Sequence, residues 1–228
     1  MYDIVFISYN ELNADENYAK LLARFPKARR VDGVTGIHAA HIAAVKPSLS
    51  RFVWIVDGDA DILDSFNFDF NARNQTDTVF VWKSINPIND LEYGYGGVKL
   101  IPRSLTLKLD TSTVDMTTSI GKLCVPMPEV SNITAFNTDP FNTWKSAFRE
   151  CVKLSSKIIP GQIDIETDDR LNTWCTYQNG SDFGDWAIIG ANAGKKYGQE
   201  NASNKEALLK INDFTWLKDQ WSLGISQQ

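Results

Sequence analysis

The chain has 228 residues, 43% hydrophobic and 11% aromatic, enough to bury a sizeable core in one α/β domain or two small ones. Its formal net charge of −5 excludes a general attraction to polyanions, so any nucleic-acid contact has to come from a local basic patch. No stretch reaches the roughly 18 apolar residues of a membrane span and no signal-peptide pattern opens the chain. Cys124, Cys151 and Cys175 are widely separated, which suits reduced thiols in a cytosolic protein with no membrane partner.

Residues 3–9, DIVFISY, are almost continuously apolar, as in a strand buried on both faces of a parallel sheet. A helix is expected next: Asn13 offers a cap, Asp15 and Glu16 sit in the first turn, and Tyr18, Leu21, Leu22 and Phe25 recur at helical spacing until Pro26. Residues 28–31 read as a short second strand ending at Asp32-Gly33. Thr35 is a candidate cap for a helix over residues 37–45, whose alanines permit close packing on a sheet, and Pro47 lies just beyond its end. Residues 52–56 make a third strand. This succession predicts an α/β fold, a mostly parallel, doubly wound sheet flanked by helices in a single domain, with ligands outside the carboxyl ends of the strands.

Residues 71–77 then read as a turn and 78–82 as a fourth strand, while 93–102, YGYGGVKLIP, join an aromatic-glycine loop to a strand. Signals over 111–137 are mixed, with Pro126 and Pro128 interrupting any long element. Asp139-Pro140 starts a helix whose apolar face, Phe141, Trp144, Phe148, Val152 and Leu154, runs to residue 158. Further helices are expected at 185–197 and 204–211, and Trp216 and Trp221 should pack the tail onto the domain.

The chemistry concentrates in FVWIVDGDADIL, residues 52–63, where an apolar run stops at three aspartates spaced two apart. A strand ending in Asp57-Gly58-Asp59 sets two carboxylates close together on a tight turn, and Gly58 lets the backbone come near a ligand. Such hard oxygen donors suit Mg²⁺ or Mn²⁺ completed by phosphate oxygens and water, so a diphosphate is the natural cargo; the alternative is a solvated turn. An EF-hand is excluded, because Ile62 and Phe68 stand where its loop needs Gly and Glu. A HAD-type phosphatase fits poorly: its acids follow the first strand, and here Ala60-Asp61 replace Gly-Thr.

His38 and His41 share a helix face but lack the intervening glutamate of a helical zinc site, so core or phosphate-facing roles are expected. Lys145, Arg149, Lys153 and Lys157 recur every four residues as a basic stripe, readable either as contacts to successive DNA phosphates or as a solvated face. Lys27, Arg29, Arg30, Lys195 and Lys196 would extend such a surface. Asp164, Glu166, Asp168 and Asp169 form an acidic cluster, read as a solvated loop or a helix start.

Tyr9-Asn10 at a strand end, Arg30-Val-Asp32-Gly, WIVDGDADI and YGYGGVKLIPR follow one another as in the nucleotide-sugar half of a GT-A glycosyltransferase. FISYNE, VDGVTGIHAAH and VDGD followed by YGYGGVKLIP further resemble the TET/JBP-associated glycosyltransferases, a family associated with sugar transfer to hydroxymethylated pyrimidines in DNA, as in base J synthesis and phage DNA modification. The match covers residues 3–102. It implies a GT-A-like domain with a nucleotide-sugar-binding half at 1–102 and an acceptor-side half with C-terminal helices at 103–228.

By the same resemblance, Ser8, Tyr9, Asn10, Arg30, Asp32, Asp57 and Gly58 contact a nucleotide-sugar donor, a UDP-sugar first of all, and Tyr95, Gly96 and Gly97 lie against its sugar. Mn²⁺ or Mg²⁺ is implied on Asp57 and principally on Asp59, neutralising the leaving diphosphate. Asp139, just before the acceptor-side helix, is the implied base of an inverting transfer, and it also has a full structural explanation as an N-cap. DNA containing hydroxymethylpyrimidine is the implied acceptor, with Lys145, Arg149, Lys153 and Lys157 on its phosphates and the target base flipped out of a duplex. The expected location is the cytoplasm, and the resemblance adds a phage-encoded protein in the host cytoplasm as one alternative. One departure is plain: no histidine follows His41, so the C-terminal metal ligand frequent in GT-A enzymes is missing, and water, Asp182 or Asp185 would have to replace it. The same donor site would serve a glycan, protein or small-molecule acceptor, or a binding module without turnover.

Overall fold

The computed structural model describes residues 2–94 and 96–225. The chain forms two compact units: Met1–Asn86, Glu92–Thr111 and Met116–Ala135 make the first, and Pro87–Leu91, Ser112–Asp115 and Phe136–Gln228 the second. Met116–Ala135 gives the first unit a helix and a long strand beyond residue 102.

In the first unit, β1 (Asp3–Ser8), α1 (Ala14–Arg24), β2 (Arg29–Asp32), α2 (Ile37–Val45) and β3 (Phe52–Asp57) follow as expected. Then come β4 (Ala60–Ile62), β5 (Thr78–Ile85), β6 (Glu92–Tyr93), β7 (Val98–Pro102), α3 (Arg103–Thr106), α4 (Met116–Ile120) and β8 (Leu123–Thr134). They build one sheet in the order β2-β1-β3-β7-β5-β8-β4, with β6 on β5. Pairing is parallel for β1 with β2 and β3 and for β5 with β8, but antiparallel for β3–β7, β5–β7, β5–β6 and β4–β8. The sheet is therefore mixed, which corrects the mostly parallel expectation. No crossover helix separates β5 from β7, and a strand that returns without one runs antiparallel. The sheet also curls: β4 follows β3 after only Gly58 and Asp59, yet it pairs at the far edge with β8.

Both faces of this sheet are covered, which explains its continuous apolar runs. Ile4, Phe6, Trp54, Val56 and Trp82 pack on Ala14 and Leu21 of α1. Val5, Ile7, Val53, Ile55 and Val81 pack on Ala44 and Val45 of α2. Each such large side chain contributes about 1.5–3 kcal/mol by leaving water. Phe66, Phe68 and Phe70, in a segment that carried no sequence assignment, bring their rings edge-on to Trp54 and Trp82.

Three local expectations are revised. Asn13 flanks α1 without capping it, and its Nδ2 donates to Ala135 O at 2.9 Å. The residue ahead of α2 is Gly36 at φ 92°, in place of a Thr35 cap. Pro126 and Pro128 lie inside β8: β4 pairs only with Asn132–Thr134, so the first half of β8 has a neighbour on one side, and the register shift against Trp82 and Lys83 admits the irregular backbone near Pro128.

The second unit contains α5 (Pro140–Ser156), α6 (Asp164–Thr176), α7 (Gly184–Glu200), α8 (Lys205–Leu209), a 3₁₀ turn (Lys210–Asn212) and α9 (Phe214–Ile225). The predicted apolar face of α5 is buried, with Trp144, Phe148 and Val152 against Leu208, Ile211 and Leu217 and the half-buried Trp216 and Trp221 beside them. The acidic cluster is the start of α6. Gly190, Gly194 and Gly198, one turn apart on α7, face the backbone of Trp144, Phe148 and Val152, one turn apart on α5. A Cβ at Gly194 would stand 2.9 Å from Phe148 Cα, with the Phe148 carbonyl oxygen closer still.

Cys151 on α5 and Cys175 on α6 are buried free thiols. A hydrogen bond from Cys151, and more weakly the Lys195 charge, lower Cys175 to about 7 against the opposing effect of its own burial. Burial pushes the Cys151 thiol up. Because the thiolate is the reactive form, alkylation of the Cys175 peptide by iodoacetamide should reach half its maximal rate near pH 7. Cys151→Ala should move that midpoint upward, and an unshifted midpoint in the variant counts against the hydrogen bond as cause. Peptide-resolved mass spectrometry is the readout, since Cys124 is exposed.

Candidate functional site

Register brings the singled-out residues of the first unit together. Ser8 pairs with Asp32, and Ile7 with Asp57, so the carboxyl ends of β1, β2 and β3 lie side by side. β7 starts at the same edge, where Asp57 N donates to Gly97 O at 2.9 Å. Ser8 Oγ donates to Asp32 Oδ1 at 2.5 Å and accepts from Arg30 Nε at 2.9 Å. Arg30 also reaches Asp32 at 3.3 Å and Asp15 at 2.5 Å, with its guanidinium over the Phe6 and Tyr18 rings. The Ser8 hydrogen bond above all, helped by the Arg30 charge, holds the Asp32 carboxyl below its ordinary value against the opposing effect of burial. Asp32 is 60% exposed, so an ordered, ionised acceptor faces solvent here.

The turn after β1 is shaped by a residue that sequence reasoning passed over. Asn10 adopts φ 63°, and Glu11 Oε2 accepts from Tyr9 N at 2.6 Å. A Cβ on Gly58 would stand 2.6 Å from that same oxygen, so glycine is needed at 58 to seat Glu11, a different reason from close approach of a ligand. Asn17 Nδ2 fastens the turn by donating to Gly58 O at 3.1 Å. The only sequence signal for Glu11 was its place in FISYNE.

Asp57 engages a lysine. Lys99, 2% exposed on β7, donates from Nζ to Asp57 Oδ1 at 2.7 Å, to Oδ2 at 2.9 Å and to Gly96 O at 2.6 Å. Burying an ammonium costs several kcal/mol unless a partner compensates it, and this carboxylate and carbonyl do so. A lysine inside an apolar strand was the available signal, and it was missed. Behind it, burial and then the Lys99 charge keep His41 well below its ordinary 6.5, hence neutral. Its Nδ1 donates to Ile37 O at 2.8 Å, while Nε2 is buried without a hydrogen-bond partner. His41 is thus a core residue.

Asp59 is half-buried, and its carbonyl accepts from Ala135 N at 2.7 Å. Asp61 turns to a separate cleft of about 310 Å³, paired there with Lys20 at 3.3 Å. The Asp57–Asp59 pair therefore does not fit a joint chelate, since both Asp57 oxygens are on Lys99. Among the described residues no group of three His, Cys, Asp or Glu side chains converges to hold a metal. Asp59 by itself still fits the mode in which one carboxylate and a ligand's phosphates share a hard cation.

Gly97 is also needed for packing: a Cβ there would lie 2.7 Å from Asn132 Nδ2. Asn132 is buried, accepting from Ser84 and Ser131 hydroxyls at 2.8 Å each and donating to Thr134 Oγ1 at 3.1 Å. Tyr95 lies outside the described residues.

The remaining predicted residues belong to the second unit, where each is engaged locally. Asp139 caps α5, accepting from Asn142 N at 2.7 Å and Nδ2 at 2.5 Å. Lys145 lies over the Phe141 and Phe214 rings. Arg149 donates to Ile211 O and Asn212 Oδ1, Lys153 pairs with Glu150 and Asp115, and Lys157, at φ 55° after α5, pairs with Asp164 and Asp168. The basic stripe is thus a set of intramolecular contacts. Asp182 and Asp185 are exposed.

No protein-family model matches the chain, and no curated protein does.

Proposed function

We propose that the strand ends of the first unit bind a nucleoside diphosphosugar and that the protein is a glycosyltransferase. One observation carries this reading: the register that sets Ser8, Asp32 and Asp57 together at the carboxyl ends of β1, β2 and β3, where ligands of such sheets bind, with the Gly96-Gly97 turn fastened to Asp57. Asp32, ionised and oriented by Ser8, accepts from the donor's ribose or base, and Arg30 supplies positive charge beside it. The glycine turn leaves room for the sugar. Asp59 would hold Mn²⁺ or Mg²⁺ jointly with the diphosphate, where such an ion would supply positive charge against the leaving group.

The acceptor we propose, a hydroxymethylated pyrimidine in DNA, follows from the sequence resemblance alone; the stripe on α5 lends it no weight, because its cations are engaged within the second unit. Asp139 keeps its N-cap in this reading and is assigned no step.

Unfolding in the presence of UDP- and GDP-sugars, with and without Mn²⁺, tests the donor site. A true donor at 100 times its Kd should raise stability by about 2.7 kcal/mol. Asp32→Asn should weaken this gain, and Asp59→Asn should remove its metal-dependent part. Stabilisation by none of the nucleotide sugars would end the donor reading. A hexose or pentose mass added to hydroxymethylated DNA, and absent from unmodified DNA, decides the acceptor.

A further inference from the structure

Three oxygens converge on one point at the end of β3: Asp57 Oδ1, Asp57 Oδ2 and Gly96 O lie 2.6–2.9 Å from a single nitrogen, Lys99 Nζ. Two carboxylate oxygens and a carbonyl arranged in this way form a cation niche, and the chain fills it with its own ammonium. Asp57 and Gly96 O together hold that ammonium, and Lys99 is 2% exposed, so it does not itself reach out for a substrate phosphate.

We propose that Lys99 is the resident cation of the strand-end site, occupying Asp57 in the place expected for a divalent ion, so that Asp57 is a positioning residue and not a metal ligand. What Asp57 positions is the glycine turn. The lysine ties Asp57 to Gly96 O, Asp57 N ties to Gly97 O, and Asn132 crowds any side chain at Gly97. The niche is asymmetric: Lys99 is 2% exposed, and Asp57 is 28% exposed, so solvent cations reach the carboxylate once the lysine's charge is gone. Removing that charge converts the niche into a site for an external cation. Its place in a donor-binding site rests on the reading above; the niche itself does not.

The test is a Mn²⁺ titration of the full chain without any nucleotide sugar, followed by water-proton relaxation, so its outcome is independent of whether the protein transfers sugars. Three proteins are compared: wild type, Lys99→Met, and Lys99→Met with Asp57→Asn. Lys99→Met should bind Mn²⁺ about tenfold or more tightly than wild type, and the double variant should return to the wild-type affinity. A residue of merely structural importance would not tighten metal binding on removal. Equal affinity in wild type and Lys99→Met would overturn the proposal. If Lys99→Met does not fold, a crystal of the wild type soaked in Mn²⁺ decides: Nζ should remain on Asp57, and an ion coordinated by Asp57 with the lysine displaced would overturn it.

Discussion

Replacing Gly190 and Gly194 together by alanine is expected to destabilise the protein by roughly 2–4 kcal/mol, although alanine is the better helix former by about 1 kcal/mol at each position. The sign follows from what the new methyl groups would meet. At both positions the nearest atoms are backbone atoms of α5, the carbonyls of Trp144 and Phe148, which no rotamer change can move aside. α7 would have to withdraw along its length, and the Trp144 and Phe148 side chains would lose part of their packing. Gly224→Ala on α9 is the control: no heavy atom lies within 4 Å of its Cβ position, so it should be neutral or stabilising by less than about 1 kcal/mol. Urea unfolding followed by tryptophan fluorescence compares them, and an unchanged midpoint in the double variant would disprove the close approach of α5 and α7.

Gly97→Ala should cost about 1–3 kcal/mol and impair the glycine turn, through a different kind of neighbour. Its Cβ would press on Asn132 Nδ2, the tip of a side chain, which ordinarily swings away cheaply. Here the amide is buried and held by Ser84, Ser131 and Thr134, so moving it leaves hydroxyl groups without partners in the core. The effect should therefore depend on Asn132. In an Asn132→Ala background, itself destabilised by the same loss of hydrogen bonds, adding Gly97→Ala should cost almost nothing, a coupling of about 1 kcal/mol or more. Additive losses would place the strain at Gly97 elsewhere.

Much of the fold was readable because its signals are local. β1 and β3 are apolar runs, α1 and α5 have helical periodicity, and Asp139-Pro140 opens a helix whatever surrounds it. Even the clustering of Ser8, Asp32 and Asp57 followed, since parallel strands joined by helices leave their carboxyl ends at one edge. The direction of β7 and the existence of β8 did not. Whether a strand pairs parallel or antiparallel, and whether prolines can sit in it, depends on the neighbour it meets.

The amino-acid sequence by itself determined the strands and helices from β1 to β3, the helix α5, and which end of the sheet gathers the carboxylates. Tertiary structure alone decided what those groups do. Lys99 meets Asp57 across 42 positions, Ser84 meets Asn132 across 48, and Gly194 meets Phe148 between two helices. Periodicity reports only a residue's own turn or pleat, whereas a carboxylate's role as metal ligand or lysine partner depends on which charge folding brings within about 3 Å.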